Sequence, residues 1–368
     1  MNGRVAPERT AITRTEWRGR RLGHCAVAAA ALAFAGCEVP GRIHIAPSGL
    51  PSTAQASASP VKPSVAPRAT EPIPDVTPSA TAHERSSSYT GLHRHTTIDL
   101  GHVSGIDPSP DGGSILYSST QDGPSPNLYI KDENSAVVTR RTSGAAWDIH
   151  PRFSPDGKRI AYASDRDGSF DLWIIPAAGA ASPEQATSTP DDDLHPSWSP
   201  DGKRVAFSRY SRKLGWSLWV LDVKTAEAIE LGSGLLPDWS PDGEWIAFQK
   251  PSDHEPHWFG VWAVRPDGSE VRQVVAGNGY GAMDPAWSPD GTRLAFTSVK
   301  QPSGDARRSA TGDIWVVELA QGRLFQVTSG PSSDAAPAWG LEGRIYFASD
   351  RQGGETGLWS LVPPEVIR

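Results

Sequence analysis

The sequence predicts an all-β fold, a six-bladed β-propeller of four-stranded antiparallel blades, and three observations carry the prediction. A turn motif, Ser-Pro-Asp-Gly followed by a short apolar strand, recurs through the C-terminal part of the 368-residue chain. Its copies lie 41 to 52 residues apart, the length of one blade. Trp 14, Gly 36 and Pro 33 together suit many short strands, tight turns and aromatic packing.

Four copies are complete: Phe153-Ser-Pro-Asp-Gly-Lys-Arg-Ile-Ala-Tyr162, Trp198 to Phe207, Trp239 to Phe248 and Trp287 to Phe296. Two degenerate copies flank them, Pro108 to Tyr117 and Trp339 to Phe347. The acids of the six turns are Asp111, Asp156, Asp201, Asp242, Asp290 and Glu342. Pro-Asp-Gly suits a type I turn, because Pro fixes φ at its second position and Gly tolerates φ > 0 at its end.

The Ile-Ala-Tyr type segment after each turn reads as a buried second strand. A third strand follows in all six copies, at Leu128-Tyr129, Leu172-Trp173, Leu218-Trp219, Val261-Trp262, Ile314-Trp315 and Leu358-Trp359. Weaker fourth strands include Ala136-Val137-Val138 and Val271 to Val274. Blades pack face to face, so the recurring aromatic residues fit a core role better than a sugar-binding platform. The sixth copy runs out before a fourth strand. The segment His95-Thr-Thr-Ile-Asp-Leu100 is therefore expected to pair beside Leu358 and Trp359 and close the ring. With its edges removed in this way, the domain is expected to be a monomer.

The N-terminal quarter is different. Residues 1–36 read as a signal peptide: Arg18, Arg20 and Arg21 precede an apolar run from Cys25 that is too short to span a bilayer comfortably. Phe34-Ala35-Gly36-Cys37 resembles a bacterial lipobox, which marks Cys37 for lipidation and places the protein in the bacterial envelope, on the outer side of the cytoplasmic membrane or elsewhere. Residues 37–90 are rich in Pro, Ser, Ala and Thr and read as a disordered tether, leaving 91–368 for the propeller. Only Cys25 and Cys37 are present, too few for a disulfide framework or a Cys-based zinc site. Net charge is -7, from 35 basic and 42 acidic side chains; six Arg and two Glu fall in the leader, leaving 29 against 40. That acidic body argues against nucleic acid as a partner.

The repeated Pro-x-Trp-Ser-Pro-Asp-Gly-x-x-Ile-Ala-Phe line, with Ser-Asp-Arg-Asp-Gly at 164–168 and Ser-Asp-Arg-Gln-Gly at 349–353, resembles the WD40-like propeller repeat of the TolB family. The resemblance covers about 270 residues, with the tether standing where TolB carries an α/β domain. It implies a non-catalytic ring that binds a protein or peptide of the cell envelope.

A meander places the Pro-Asp-Gly turns on one face and the loops between second and third strands on the other. That second face carries the insertions Arg209 to Trp216, Lys250 to Phe259 and Val299 to Gly312. Around the same mouth the sequence puts Asp148, His150, Asp193, His195, Asp284 and Asp334, with His254, His257 and Trp258 in one insertion. These form the candidate binding face. An acidic, His-containing ring can hold a divalent cation; the same Asp residues can equally bond loop backbone. Asp165-Arg-Asp167-Gly168 lacks the closing Glu of a calcium loop and reads as a hairpin turn. The competing function is a metal-dependent lyase or hydrolase at the channel mouth. A serine-peptidase elbow is absent, since Gly215-Trp-Ser217-Leu-Trp219 fails at its last position.

Overall fold

The computed structural model describes residues 83–85, 89–96, 102–179, 182–251, 258–276, 279–300, 311–351 and 356–364. The leader, Cys37, most of the tether, His254 and His257 lie outside these residues. Every regular element described is a strand.

Six sheets stand around one axis. The innermost strands are Val103–Pro108, Asp148–Phe153, Asp192–Trp198, Leu235–Trp239, Gly281–Trp287 and Asp334–Trp339. Each blade runs outward from its innermost strand as an antiparallel meander. Neighbouring innermost strands pack on one another, and Asp334–Trp339 of blade 6 meets Val103–Pro108 of blade 1.

The turn motif explains its own letters. In Ser109-Pro-Asp-Gly112, the Gly112 N–H donates to Ser109 O at 2.9 Å and Gly112 takes φ +71°. The Ser109 hydroxyl donates to Asp111 at 2.6 Å, and Asp111 accepts the Gly113 N–H at 2.9 Å. The same 2.6 Å Ser–Asp bond recurs at Ser154–Asp156, Ser199–Asp201, Ser240–Asp242 and Ser288–Asp290. Blade 6 has Gly340 in place of the Ser and keeps only the backbone bond, Gly343 N–H to Gly340 O at 3.1 Å. Ser and Asp are thus a turn clamp.

The aromatic repeat is core. Residues directly opposite on second and third strands pair as Tyr117–Tyr129, Tyr162–Trp173, Phe207–Trp219, Phe248–Trp262, Phe296–Trp315 and Phe347–Trp359. Such cross-strand aromatic pairs stabilise a sheet by several tenths of a kcal/mol or more each, about 0.2–1.

The last blade takes its outer strand from the N-terminal side of the ring, five residues earlier than the sequence suggested. Thr90–Arg94 pairs antiparallel with Gly357–Val362. His95 and Thr96 continue the contact: the His95 N–H reaches Leu358 O at 3.0 Å, and Thr96 Oγ1 accepts the Leu358 N–H at 3.0 Å. The expected strand 97–100 lies outside the described residues. An outer strand faces solvent and tolerates the polar Thr90-Gly-Leu-His-Arg94. Within the segment read as tether, His83–Arg85 runs parallel to Arg323–Gln326 and adds a fifth strand to blade 5.

Candidate functional site

The site is built by a bulge repeated in every innermost strand. Pairing with the second strand shifts register between Ser104/Asp107, Ile149/Arg152, Leu194/Ser197, Leu235/Asp238, Met283/Ala286 and Ala335/Ala338. One residue in each bulge takes positive φ: Gly105, His150, His195, Leu236, Asp284 and Ala336, at 51° to 60°. Five of these six are not glycine. The bulge turns all six toward the axis, where they line a common cavity with Arg152. The cavity has room for a few waters or a small polar group.

Blade-to-blade hydrogen bonds hold this ring still. The residue two places after the positive-φ position accepts the backbone N–H of the aromatic residue in the next blade: Asp107 from Phe153 (2.6 Å), Ser197 from Trp239 (2.9 Å) and Asp238 from Trp287 (2.7 Å). The backbone N–H groups of the bulges are met as well, Leu236 by Ser208 Oγ, Asp284 by Gln249 Oε1 and Ala336 by Thr297 Oγ1. Arg152, at the equivalent position of blade 2, is a donor instead. Its Nη1 donates to Ile106 O at 2.8 Å and lies 3.8 Å from Asp107 Oδ1, and its side chain is 31% exposed to the cavity.

Burial dominates the electrostatics. It pushes Asp107 up to about 7 despite Arg152, and Asp238 and Asp284 up to about 6. It depresses His150 to about 3 and His195 well below the imidazole range, helped by the Arg152 charge. Both imidazoles are therefore neutral. They lie side by side, with ring centroids 4.1 Å apart. Trp216 of the blade 3 insertion leans over them, 5.8 Å from His195 and 5.0 Å from Tyr210.

The predicted residues divide in two. Asp148, Asp193 and Asp334 occupy one equivalent position and are buried, and each is spent on an arginine. Arg166 reaches Asp148 at 3.0 Å, Arg209 grips Asp193 through two bonds of 2.7 and 2.9 Å, and Arg351 reaches Asp334 at 2.6 Å. Each arginine also lies over a blade's aromatic pair, as Arg209 does over Trp219 at 4.4 Å. Among the described residues no three His, Cys, Asp or Glu side chains are placed to share a metal. These acids face guanidinium groups that the sequence reading left unpaired with them. Asp284 belongs to the other set. It sits two residues further along its strand, at the bulge beside His150 and His195 in register, with Thr297 Oγ1 donating to it at 2.9 Å. Trp258 is half-buried and packs toward Gly281. Asp165-Arg-Asp167-Gly168 is a turn, closed by Gly168 N–H to Asp165 O at 3.1 Å.

Arg152 was missed. The available signal was its oddity in the repeat, since the residue before the last position of each innermost strand is Asp, Ser or Ala in every other blade.

The profile of the TolB beta propeller domain matches residues 89–234 and 232–357. The chain belongs to the TolB β-propeller domain family. Among solved structures, a protein assigned as TolB from Agrobacterium tumefaciens is similar with a TM-score of 0.55 at 21% identity, covering 74% of this chain and 97% of that one. The oligogalacturonate lyase of Vibrio parahaemolyticus is similar with a TM-score of 0.55 at 14% identity, covering 75% and 94%. At these identities the TolB-type ring is the shared property. A curated relative, the "Uncharacterized peptidase YuxL" of Bacillus subtilis, is 36% identical over 77 residues. That match spans 21% of this TolB-family chain and 11% of the peptidase.

Proposed function

We propose that this chain is a non-catalytic binding module of the cell envelope, exported and held to a membrane by lipid on Cys37. Its ring presents the insertion-bearing face to a protein or peptide partner. The observation that carries the reading is the hairpin of blade 3, which holds Tyr210 and Trp216 over the channel mouth beside His150 and His195. Large aromatic side chains on a rigid scaffold are the groups that dominate binding energy at protein interfaces. The buried Asp–Arg pairs and the inter-blade bonds fix that scaffold, so little ordering cost remains at binding.

The test is crosslinking and mass spectrometry on intact cells, comparing wild type with Trp216→Ala and with Leu341→Ala on the opposite face. Leu341 is 61% exposed, so its removal leaves the core alone. Loss of a partner with Trp216→Ala alone supports the reading; identical partners in all three strains refute it. The paired imidazoles are the feature that favours the competing reading, a metal-dependent lyase or hydrolase. Metal analysis of the purified chain separates the two: a stoichiometric transition metal lost in His150→Gln would overturn the non-catalytic reading.

A further inference from the structure

We propose that the axial cavity is a binding site for a carboxylate group, built from Arg152, His150 and His195. The argument rests on which polar groups the fold leaves uncommitted. Asp284, the carboxylate on the cavity wall, already accepts the Thr297 hydroxyl, while Asp107 and Asp238 turn away to accept N–H groups of the next blade. The donors are in the opposite condition. Of the Arg152 nitrogens only Nη1 meets an acceptor, which leaves Nε and Nη2 with no protein partner among the described residues. The Nδ1 atoms of His150 and His195 are buried and unpartnered, and His195 is only 9% exposed. A buried polar group without a partner is costly, so a site of this kind is completed by a ligand or by water.

A guanidinium with two adjacent free N–H donors, lining the same cavity as two neutral imidazoles, matches a planar acceptor anion. The cavity is large enough for one carboxylate with a few waters. His150 and His195 are on neighbouring blades and hold positive φ, so their rings are aimed by backbone geometry fixed across the blade seam. The source of the carboxylate is either a free small anion or the C-terminus or acidic side chain of a peptide entering along the axis. This site stands apart from the partner-binding reading, since a free anion fills it with no partner present.

The electrostatic setting gives a sign. Every titrating group around the cavity favours the anion more as pH falls. Between pH 8 and pH 5.5 the imidazoles of His150 and His195 stay neutral, and neutralisation of Asp284, Asp107 and Asp238, all raised by burial, removes repulsion. A cation site in the same cavity would show the reverse.

Acetate titrations of the full-length chain, followed through the ring protons of His150 and His195 by NMR and assigned with His150→Gln and His195→Gln, test the proposal. We expect saturable shifts of both rings, tighter at pH 5.5 than at pH 8 by about fivefold or more. Arg152→Gln should weaken binding about tenfold or more. Asp284→Asn should tighten it about threefold. The latter keeps the Thr297 acceptor, so it carries the test if Arg152→Gln does not fold. A short peptide ending in Asp, as free acid and as the C-terminal amide of its Asn counterpart, identifies the source. Shifts with the acid peptide point to a peptide carboxylate, and shifts with acetate alone point to a free anion. The proposal is overturned if neither carboxylate moves these signals, if binding weakens on acidification, or if only calcium or manganese produces the shifts.

Discussion

Replacing Arg209 by Met tests how much the buried Asp–Arg pairs hold up the ring. Asp193 is fully buried, and Arg209 is 14% exposed and gives it two bonds at 2.7 and 2.9 Å. Burial nevertheless holds Asp193 above the usual carboxylate range, while the pair raises Arg209. The two shifts agree that the pair forms, and the Asp193 direction says that its attraction falls short of the desolvation of the carboxylate. Removing the guanidinium leaves that carboxylate buried alone, a change that costs about 3–5 kcal/mol in comparable sites. Loss of the stack on Trp219 at 4.4 Å adds about 0.5–1 kcal/mol, and the aliphatic Met recovers part of the packing. A net loss of about 3 kcal/mol corresponds to a drop in Tm of roughly 6–12 °C for a domain of this size. The sign with pH is fixed. The unpaired Asp193 has a raised folded pKa, so its penalty is absent where it is protonated in both states and grows as pH rises. Thermal unfolding of Arg209→Met should therefore show a smaller deficit at pH 5 than at pH 8, and Asp193→Leu/Arg209→Met should recover most of the loss. A Tm within about 2 °C of wild type at pH 8, or a larger deficit in acid, would refute the reasoning.

Other perturbations follow from the same geometry. Ser199→Ala removes the 2.6 Å clamp on Asp201 and should lower stability by about 1 kcal/mol, with a similar effect at each of the five turns that carry the Ser, measured by urea denaturation. Gly105→Ala places a Cβ 2.8 Å from Pro151 Cδ and 2.9 Å from His150 Cα at positive φ, so a loss of about 2 kcal/mol or more and disturbed His150 NMR signals are expected. Asp107 has a folded pKa raised to about 7, so its burial destabilises the ring increasingly from pH 4 to 7; Asp107→Asn should raise Tm at pH 8 by about 3 °C or more and by clearly less at pH 5. Deleting residues 89–96 exposes the edge of Gly357–Val362 and should abolish the cooperative melting transition, read by circular dichroism.

The ring was legible in the sequence because its strongest signals are local. A turn that needs Pro, Asp and Gly in consecutive places cannot drift in register, and six copies at blade spacing leave little choice of architecture. The Ser of the motif was visible and its role was not, since the 2.6 Å bond to Asp two residues on depends on the turn's geometry. Pairings across the chain were less legible. Asp193 meets Arg209 and Asp334 meets Arg351 because the first and second strands are antiparallel neighbours, so a loop acid and a strand-end base 16 or 17 residues apart become one buried pair. In the sequence alone those acids looked free to bind a cation. Asp284 was grouped with them by its nearness to Pro285, yet strand register assigns it to the axial set.

The same register argument says where this ring can vary. Strand-pairing and face-packing positions are locked by the blade on either side, and a change there is felt in two sheets at once. The bulge positions are held by backbone, through the extra residue and positive φ, while their side chains project into space that no other blade fills. They can therefore differ from blade to blade without disturbing the repeat. In this chain they do: Gly105, His150, His195, Leu236, Asp284 and Ala336 share a conformation and almost no chemistry. Positive φ is uncommon outside glycine and costs of order 1 kcal/mol for most side chains, although His and Asp accept it more readily than β-branched residues do. Within the repeat, an axial ring of this composition carries its chemistry on one side, blades 2 and 3, with a lone carboxylate facing it from blade 5. An axial ligand consequently meets an asymmetric wall inside a nearly symmetric fold, and its orientation is set by Arg152 and the two imidazoles rather than by the six-fold repeat.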